Sequence, residues 1–103
     1  MGYNAATKPA GWIDLTPSKR FALFERDAVA TFTFSTAGPT GGTYTVRHVI
    51  TGAVVASGSI AGLTSLNVPT TTCGPYVLHL DGTASDAVYD TAIGEAFFAV
   101  FGA

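Results

Sequence analysis

The two histidines are the side chains best suited to acid–base chemistry, since imidazole titrates near neutral pH. A catalytic nucleophile needs such a base within hydrogen-bond reach. Strand alternation predicts that His48 lies on the core-facing side of the segment TYTVRHVI and that His79 lies on the outward side of the segment YVLHL. We therefore expect the two rings to lie apart. Neither a serine in a nucleophile elbow nor a ligand-spaced cysteine or carboxylate accompanies them. The sequence predicts a protein that is not an enzyme.

Carboxylates form the second candidate group, because Ca²⁺ prefers hard oxygen ligands on an irregular loop. Asp81, Asp86, Asp90 and Glu95 are separated by 5, 4 and 5 residues. That spacing lacks the one-residue alternation of an EF-hand loop. Asp81, Asp86 and Asp90 are thus weak metal candidates, the alternative being a solvated loop, and no metal or cofactor is predicted.

Aromatic side chains are the third group, because exposed Trp or Tyr rings stack on sugars. Trp12, Tyr3 and Tyr89 lie outside the strongest strand patterns. A carbohydrate site is therefore an alternative to the simpler interpretation, in which Trp12 packs the N-terminal segment onto the domain. Cys73 is the single cysteine, so an internal disulfide is excluded.

The composition excludes several function classes. The chain has 103 residues, which suits one domain, and only 12% are charged where about 25% is usual. Its 5 Lys+Arg and net charge of -2 disfavour nucleic acid and anionic membranes as partners. Residues 50–63 are uncharged but too short to span a bilayer, and no export signal is apparent. Fifteen threonines and 12 glycines supply much of the polar content instead.

Residues 1–20 are interpreted as an N-terminal arm, and residues 21–103 as the folded domain. Glycine and proline interrupt the arm, which carries Lys8, Lys19 and Arg20, three of the five positive charges. Residues 1–50 have a net charge of +2 and residues 51–103 of -4. The arm is therefore expected to reach the acidic stretch at residues 81–95, in its own subunit or in a neighbouring one.

Short β-type runs separated by turn residues fill the rest of the chain. The predicted strands cover residues 28–35, 43–50, 54–60, 63–68, 76–80 and 96–101. Phe32 and Phe34 should face the core, with Thr51 and Gly52 forming a hairpin turn. Residues 81–95 are expected to form a long connection. The last strand is apolar on both faces, so we expect it to be covered on both sides.

Five motifs between residues 43 and 101 resemble the immunoglobulin-like sandwich superfamily. They are Tyr44-x-Val46, Gly52-x-Val54-Val55-x-x-Gly58, Leu66-x-Val68-Pro69, Gly74-x-Tyr76-x-Leu78 and Phe97-Phe98-x-Val100. The resemblance implies a tyrosine-corner-like position for Tyr76, with its hydroxyl bonded to nearby backbone. Unlike antibody domains, the chain has no cysteine pair and no tryptophan on the third strand. Similar modules occur in phage virions and as accessory domains of polysaccharide-degrading enzymes.

The predicted fold is all-β, a single immunoglobulin-like antiparallel β-sandwich of about seven strands with an extended N-terminal arm. Because its weakly charged, Thr-rich surface desolvates cheaply, we expect a non-enzymatic assembly protein, such as a phage capsid decoration or minor virion protein. Its expected partners are further copies or other virion subunits, contacted through Lys8, Trp12, Lys19, Arg20 and Phe98. The alternative is an extracellular carbohydrate-binding or accessory module of a polysaccharide-active enzyme. Deleting residues 1–11 is expected to abolish assembly but leave the fold soluble.

Overall fold

The structure is a computed structural model in which residues 10–35, 39–83 and 91–102 are described. These residues contain nine strands and one 3-10 turn, Arg20–Ala22. The strands are β1 Ala10–Trp12, β2 Leu15–Pro17, β3 Leu23–Glu25, β4 Ala30–Phe34, β5 Gly41–His48, β6 Val54–Ser59, β7 Ser65–Val68, β8 Gly74–Thr83 and β9 Thr91–Phe101. No helix within these ranges is long and apolar enough to cross a membrane.

The strands form two sheets, which confirms the predicted β-sandwich. The larger sheet has the order β1-β9-β8-β5-β6, with β3 also paired to β9, and the smaller has the order β2-β4-β7. Two of the pairings are parallel, with Ala10 opposite Thr91 and Leu23 opposite Ala99. The sequence predicts about seven strands, all antiparallel. Three-residue strands account for the difference, because they are too short for alternation to reveal.

The N-terminal segment crosses between the sheets. The sequence predicts an arm over residues 1–20, but β1 pairs with β9 and β2 pairs with β4. Ile13, between these two strands, is only 2% exposed, and its N–H donates to the Ile93 carbonyl at 2.8 Å. The interpretation as an arm is therefore wrong for residues 10–17. Lys8 lies outside the described residues.

Aromatic rings fill the centre of the sandwich. Phe32 contacts Phe24 and Phe98 with ring centroids 6.0 and 5.7 Å apart, and the ring of Tyr76 stacks on Phe98 at 5.1 Å. The predicted inward face of β4 is confirmed, because Phe32 and Phe34 are buried. Edge and stacked ring contacts of this kind add to the energy of burial itself.

The long connection predicted over residues 81–95 is partly strand. β8 continues to Thr83 and β9 begins at Thr91, so that Asp81 lies opposite Ile93 and Glu95 opposite His79. Asp and Gly are poor strand formers, which weakens the local signal, but pairing between two central strands overrides it. Asp86, Tyr89 and Asp90 lie outside the described residues.

Two local predictions are confirmed. The hairpin between β5 and β6 turns at Gly52, which has a φ of +73° and donates its N–H to the His48 carbonyl at 2.8 Å. The Tyr76 hydroxyl donates to the Thr72 carbonyl at 2.6 Å, the backbone contact that the family resemblance implies. Both contacts fix the ends of strands in the larger sheet.

Candidate interaction surface

The outer face of the larger sheet is not covered by any other part of the chain that the structure describes. The three-stranded sheet packs on the inner face only, so Phe98 is 4% exposed while its neighbour Phe97 is 66% exposed. The second covering that the sequence predicts for the last strand is therefore not supplied by the described part of the chain itself. Phe98 is a core residue and is unavailable to a partner, contrary to its prediction as a contact residue.

Phe97 is the residue that the sequence prediction missed. In the segment AFFAVF, the residues on both faces of the strand are apolar. Alternation alone therefore does not show whether Phe97 or Phe98 faces the core. The signal lies two residues earlier. Glu95 lies on the same face of the strand as Phe97, and a charged residue indicates the face that is exposed to water. That observation would have assigned Phe97 outward and Phe98 inward.

A cluster of apolar side chains, here called the outer patch, surrounds Phe97. Most of its members are neighbours on adjacent strands, since Phe97 lies opposite Val77 and Leu23 lies opposite Ala99. Val49 follows the end of β5 and donates its N–H to the Pro75 carbonyl at 3.0 Å. The outer patch consists of Leu23, Val49, Val77, Phe97, Ala99 and Phe101. Four of these are exposed, and Val77 and Ala99 are half-buried. Contiguous apolar surface of this kind marks interaction sites in soluble proteins.

Polar groups border the outer patch on the same face. His79 Nδ1 lies 3.5 Å from Glu95 Oε2 across β8 and β9, and both side chains are about half exposed. Arg47 Nη1 donates to the Gly52 carbonyl at 2.9 Å. These three residues, with Thr45 and Val77, line a shallow depression of about 270 Å³. Because these polar side chains are exposed, their contacts with one another stabilise the fold little.

Two of the predicted partner residues lie at the margin of the outer patch, Lys19 directly before the 3-10 turn and Arg20 at its first position. Both are exposed, and the turn leads directly into Leu23. Phe21 within it is 83% exposed and has a φ of +59°, a left-handed conformation that is costly for a non-glycine residue. Arg20 Cζ lies 5.9 Å from the Phe21 ring centroid. The turn therefore presents two cations and a phenyl ring to solvent.

Trp12 lies on the outer face as well, near the opposite end of β9. It is paired with Ile93 in the parallel register of β1 and is 58% exposed. The structure thus brings Trp12 onto the same face as the outer patch and places Lys19 and Arg20 at its margin. Of the predicted partner residues that the structure describes, Phe98 alone is buried.

Possible metal ligands are dispersed across the described residues. No group of three or more His, Cys, Asp or Glu side chains among them is placed to hold a metal ion. Of the weak calcium candidates, Asp81 lies in β8 rather than in a loop, whereas Asp86 and Asp90 lie outside the described residues. The histidines lie on opposite faces as predicted, His48 packing against the Tyr76 ring at 5.0 Å. Cys73 is an exposed free thiol.

Comparison with known proteins identifies the fold. No protein-family model and no curated protein sequence matches the chain. Among solved structures, CopC from Methylosinus trichosporium OB3b matches with a TM-score of 0.57 and 17% identity, over 87% of this chain and 94% of CopC. The chain therefore has an immunoglobulin-like β-sandwich fold.

Two further structures match with lower TM-scores. The sulfur carrier protein SoxY from Chlorobium limicola f thiosulfatophilum has a TM-score of 0.44 and 14% identity, over 95% of this chain and 87% of SoxY. A CARDB domain from Pyrococcus furiosus, solved in complex with di-metal ions, has a TM-score of 0.45 and 10% identity. It aligns over 98% of this chain and 100% of that domain.

Proposed function

We propose that this chain is a non-enzymatic structural protein that docks onto another protein subunit through the outer patch. The setting we propose is a phage virion, in which the chain serves as a capsid decoration or minor structural component. The observation that carries the proposal is the 66% exposure of Phe97 in the middle of an 11-residue strand. A large aromatic ring held in solvent on a rigid strand is typical of an interface anchor.

The surroundings of Phe97 support a protein partner. An apolar centre with a polar rim is the usual anatomy of a protein–protein interface, and here Arg47, His79 and Glu95 form part of such a rim. Lys19 and Arg20 border the patch on another side. We therefore infer that the partner presents an apolar surface with carboxylates opposite the 3-10 turn, since charge across an interface sets orientation.

Density-gradient fractionation of the source cells or particles tests the proposal. A tagged chain is expected to sediment with assembled particles, and Phe97→Asp is expected to shift it to the unassembled fraction. Val29→Asp is the matched control, because Val29 is an exposed apolar residue beside the smaller sheet. A wild-type chain that never sediments with particles, or two variants that both do, would contradict the proposal.

Carbohydrate binding is the second candidate, and the exposed ring of Trp12 favours it. Trp12 shares the outer face with His79 and Glu95, which can hydrogen-bond to sugar hydroxyls. Since Trp12 is the single tryptophan, its fluorescence reports on stacking without interference. Emission that shifts on titration with cellulose, xylan or chitin oligosaccharides would support this candidate. Unchanged emission across that panel would remove it.

A further inference from the structure

Strand β6 is an open edge of the larger sheet. It pairs with β5 on one side, and no described strand pairs with its other side. Ile60 donates its N–H to the Gly42 carbonyl at 3.1 Å, so the backbone N–H of Ile60 points toward β5. Because backbone groups alternate in direction along an antiparallel strand, Ser57 and Ser59 direct their N–H and C=O groups away from β5. The edge therefore presents two donors and two acceptors to solvent.

The other outer strands are protected in ways that β6 is not. β1, β2 and β3 have three residues each, β2 ends at Pro17, and the four-residue β7 is followed by Pro69. Short strands and prolines are the devices with which proteins block edge pairing. β6 has six residues, without a charge or a proline. Apart from a β-bulge at its hairpin end, β6 thus lacks the edge protection of the other described outer strands.

One bulge limits how much of β6 is open. Val46 lies opposite Ala56 but Arg47 lies opposite Val54, which leaves Val55 as the extra residue. The bulge lies at the hairpin end of the strand. Residues from Ala56 to Ser59 keep regular pairing with β5, so their free side is a regular template for another strand.

We propose that β6 pairs in antiparallel fashion with β6 of a second copy, with the two Ser57 residues opposite each other on the twofold axis. In a symmetric strand pair, each residue at the twofold axis lies close to the same residue of the second copy. Like charges in that position repel, so self-pairing requires a strand without charge at the axis. Ala56, Ser57, Gly58 and Ser59 satisfy that requirement and are small enough for close approach. In this register Ser59 lies opposite the partner's Val55, an exposed valine that pairing would cover.

The proposed pairing goes beyond the docking function and is independent of it. Strands β8 and β5 separate β6 from β9, so a second copy at the edge leaves the outer patch free. The twofold axis of an antiparallel strand pair is perpendicular to the sheet. Both outer patches of the dimer therefore face the same side.

Sedimentation velocity of the full chain over micromolar to near-millimolar concentrations tests the pairing. The wild type is expected to show a reversible monomer–dimer equilibrium. Ser57→Pro removes the outward N–H but no hydrogen bond to β5, so it should raise the dimer Kd about tenfold or more with little change in Tm. Ser57→Thr is the matched control and should retain the dimer, because it keeps the N–H.

Two further variants keep the test decisive even where the proline lowers stability. Ser57→Lys projects from the exposed outer side of β6, so it should spare the fold and place like charges across the axis. Its dimer is expected to recover in part at high salt. Phe97→Asp should leave the dimer unchanged. A monomeric wild type, or a dimer lost in Phe97→Asp but kept in both Ser57→Pro and Ser57→Lys, would overturn the proposed pairing without deciding the docking function.

Discussion

Tyr76 shows how one of the buried polar groups is accommodated in this core. Its ring stacks on Phe98, and its hydroxyl reaches the backbone of Thr72 at 2.6 Å. Burial raises the pKa of Tyr76 above its ordinary value of 10.0, and the nearby Cys73 thiolate adds to the increase. The folded protein therefore favours the neutral, hydrogen-bonding form of the phenol.

The raised pKa of Tyr76 predicts a loss of stability at alkaline pH. Above pH 10 the unfolded chain releases the Tyr76 proton before the folded one does, so the free energy of unfolding falls as the pH rises through the folded pKa. Tyr76→Phe removes this contribution and costs about 1 kcal/mol at neutral pH. Urea denaturation should show the difference between wild type and variant narrowing above pH 10. A difference that stays constant with pH would contradict this account.

Gly74 has two separate reasons to be glycine, and Gly52 has one. Gly74 has a φ of +142°, and the His48 ring occupies the space that a Cβ would take. Gly52 has a φ of +73° with no atom within 4 Å of that position. Gly74→Ala should therefore cost about 3 kcal/mol in chemical denaturation, against about 1 kcal/mol for Gly52→Ala. Adding His48→Ala to Gly74→Ala should recover part of the loss, and equal costs at both glycines would contradict the contact with His48.

At the scale of the element, strand β9 places one phenylalanine in the core and the next in solvent. Phe98 contacts Phe24, Phe32 and Tyr76, whereas the ring of Phe97 lies on the outer face. Phe98→Ala is expected to lower the free energy of unfolding by about 3–5 kcal/mol, and Phe97→Ala to change it by about 0.5 kcal/mol or less. Thermal denaturation of the purified variants measures both. Similar losses in the two variants would contradict the one-sided packing of β9.

Alternation predicted the long strands well, because one face of each packs against the core. The inward positions of Phe32, Phe34, Tyr76, Leu78 and Leu80 all follow from it. Alternation within the predicted last strand, residues 96–101, could not predict which face is covered, because that segment is apolar on both faces. Nor could alternation detect β1, β2 or β3, whose pairing depends on tertiary contacts rather than on local pattern.

The candidate site was predictable only in part, for similar reasons. Lys19, Arg20 and Trp12 were selected by charge and residue type, and all three are exposed near the outer patch or on the same face. The exposure of Phe21 depends on a left-handed backbone conformation. The residue types in Arg20–Ala22 do not predict that conformation, because none of them is glycine or asparagine. The contact of His79 with Glu95 depends on the register of β8 and β9, which the prediction of a loop over residues 81–95 does not reveal.

At the scale of the whole molecule, residues 10–17 join the two sheets. A truncation that ends before Ala10 and one that extends beyond it should therefore differ sharply in their effect on thermal stability. Removing residues 1–9 leaves β1 and β2 intact, so we expect it to lower thermal stability less than the longer truncation does. Removing residues 1–17 deletes both strands and the buried Ile13, at a cost of at least about 3 kcal/mol. Circular dichroism melting curves measure the two effects. A chain that tolerates both truncations equally would contradict the structural role of the segment.

The pairing of the first strand with the last constrains how the chain folds as it is synthesised. Ala10 finds its partner Thr91 only after most of the chain has been made, whereas β2 pairs with β4 much earlier. Contacts between such distant residues slow folding, because a long loop must close before the contact forms. The larger sheet can therefore be completed only after β9 has been synthesised. Until then, the growing chain displays the unpaired side of β8, so this is the interval in which aggregation is most favoured.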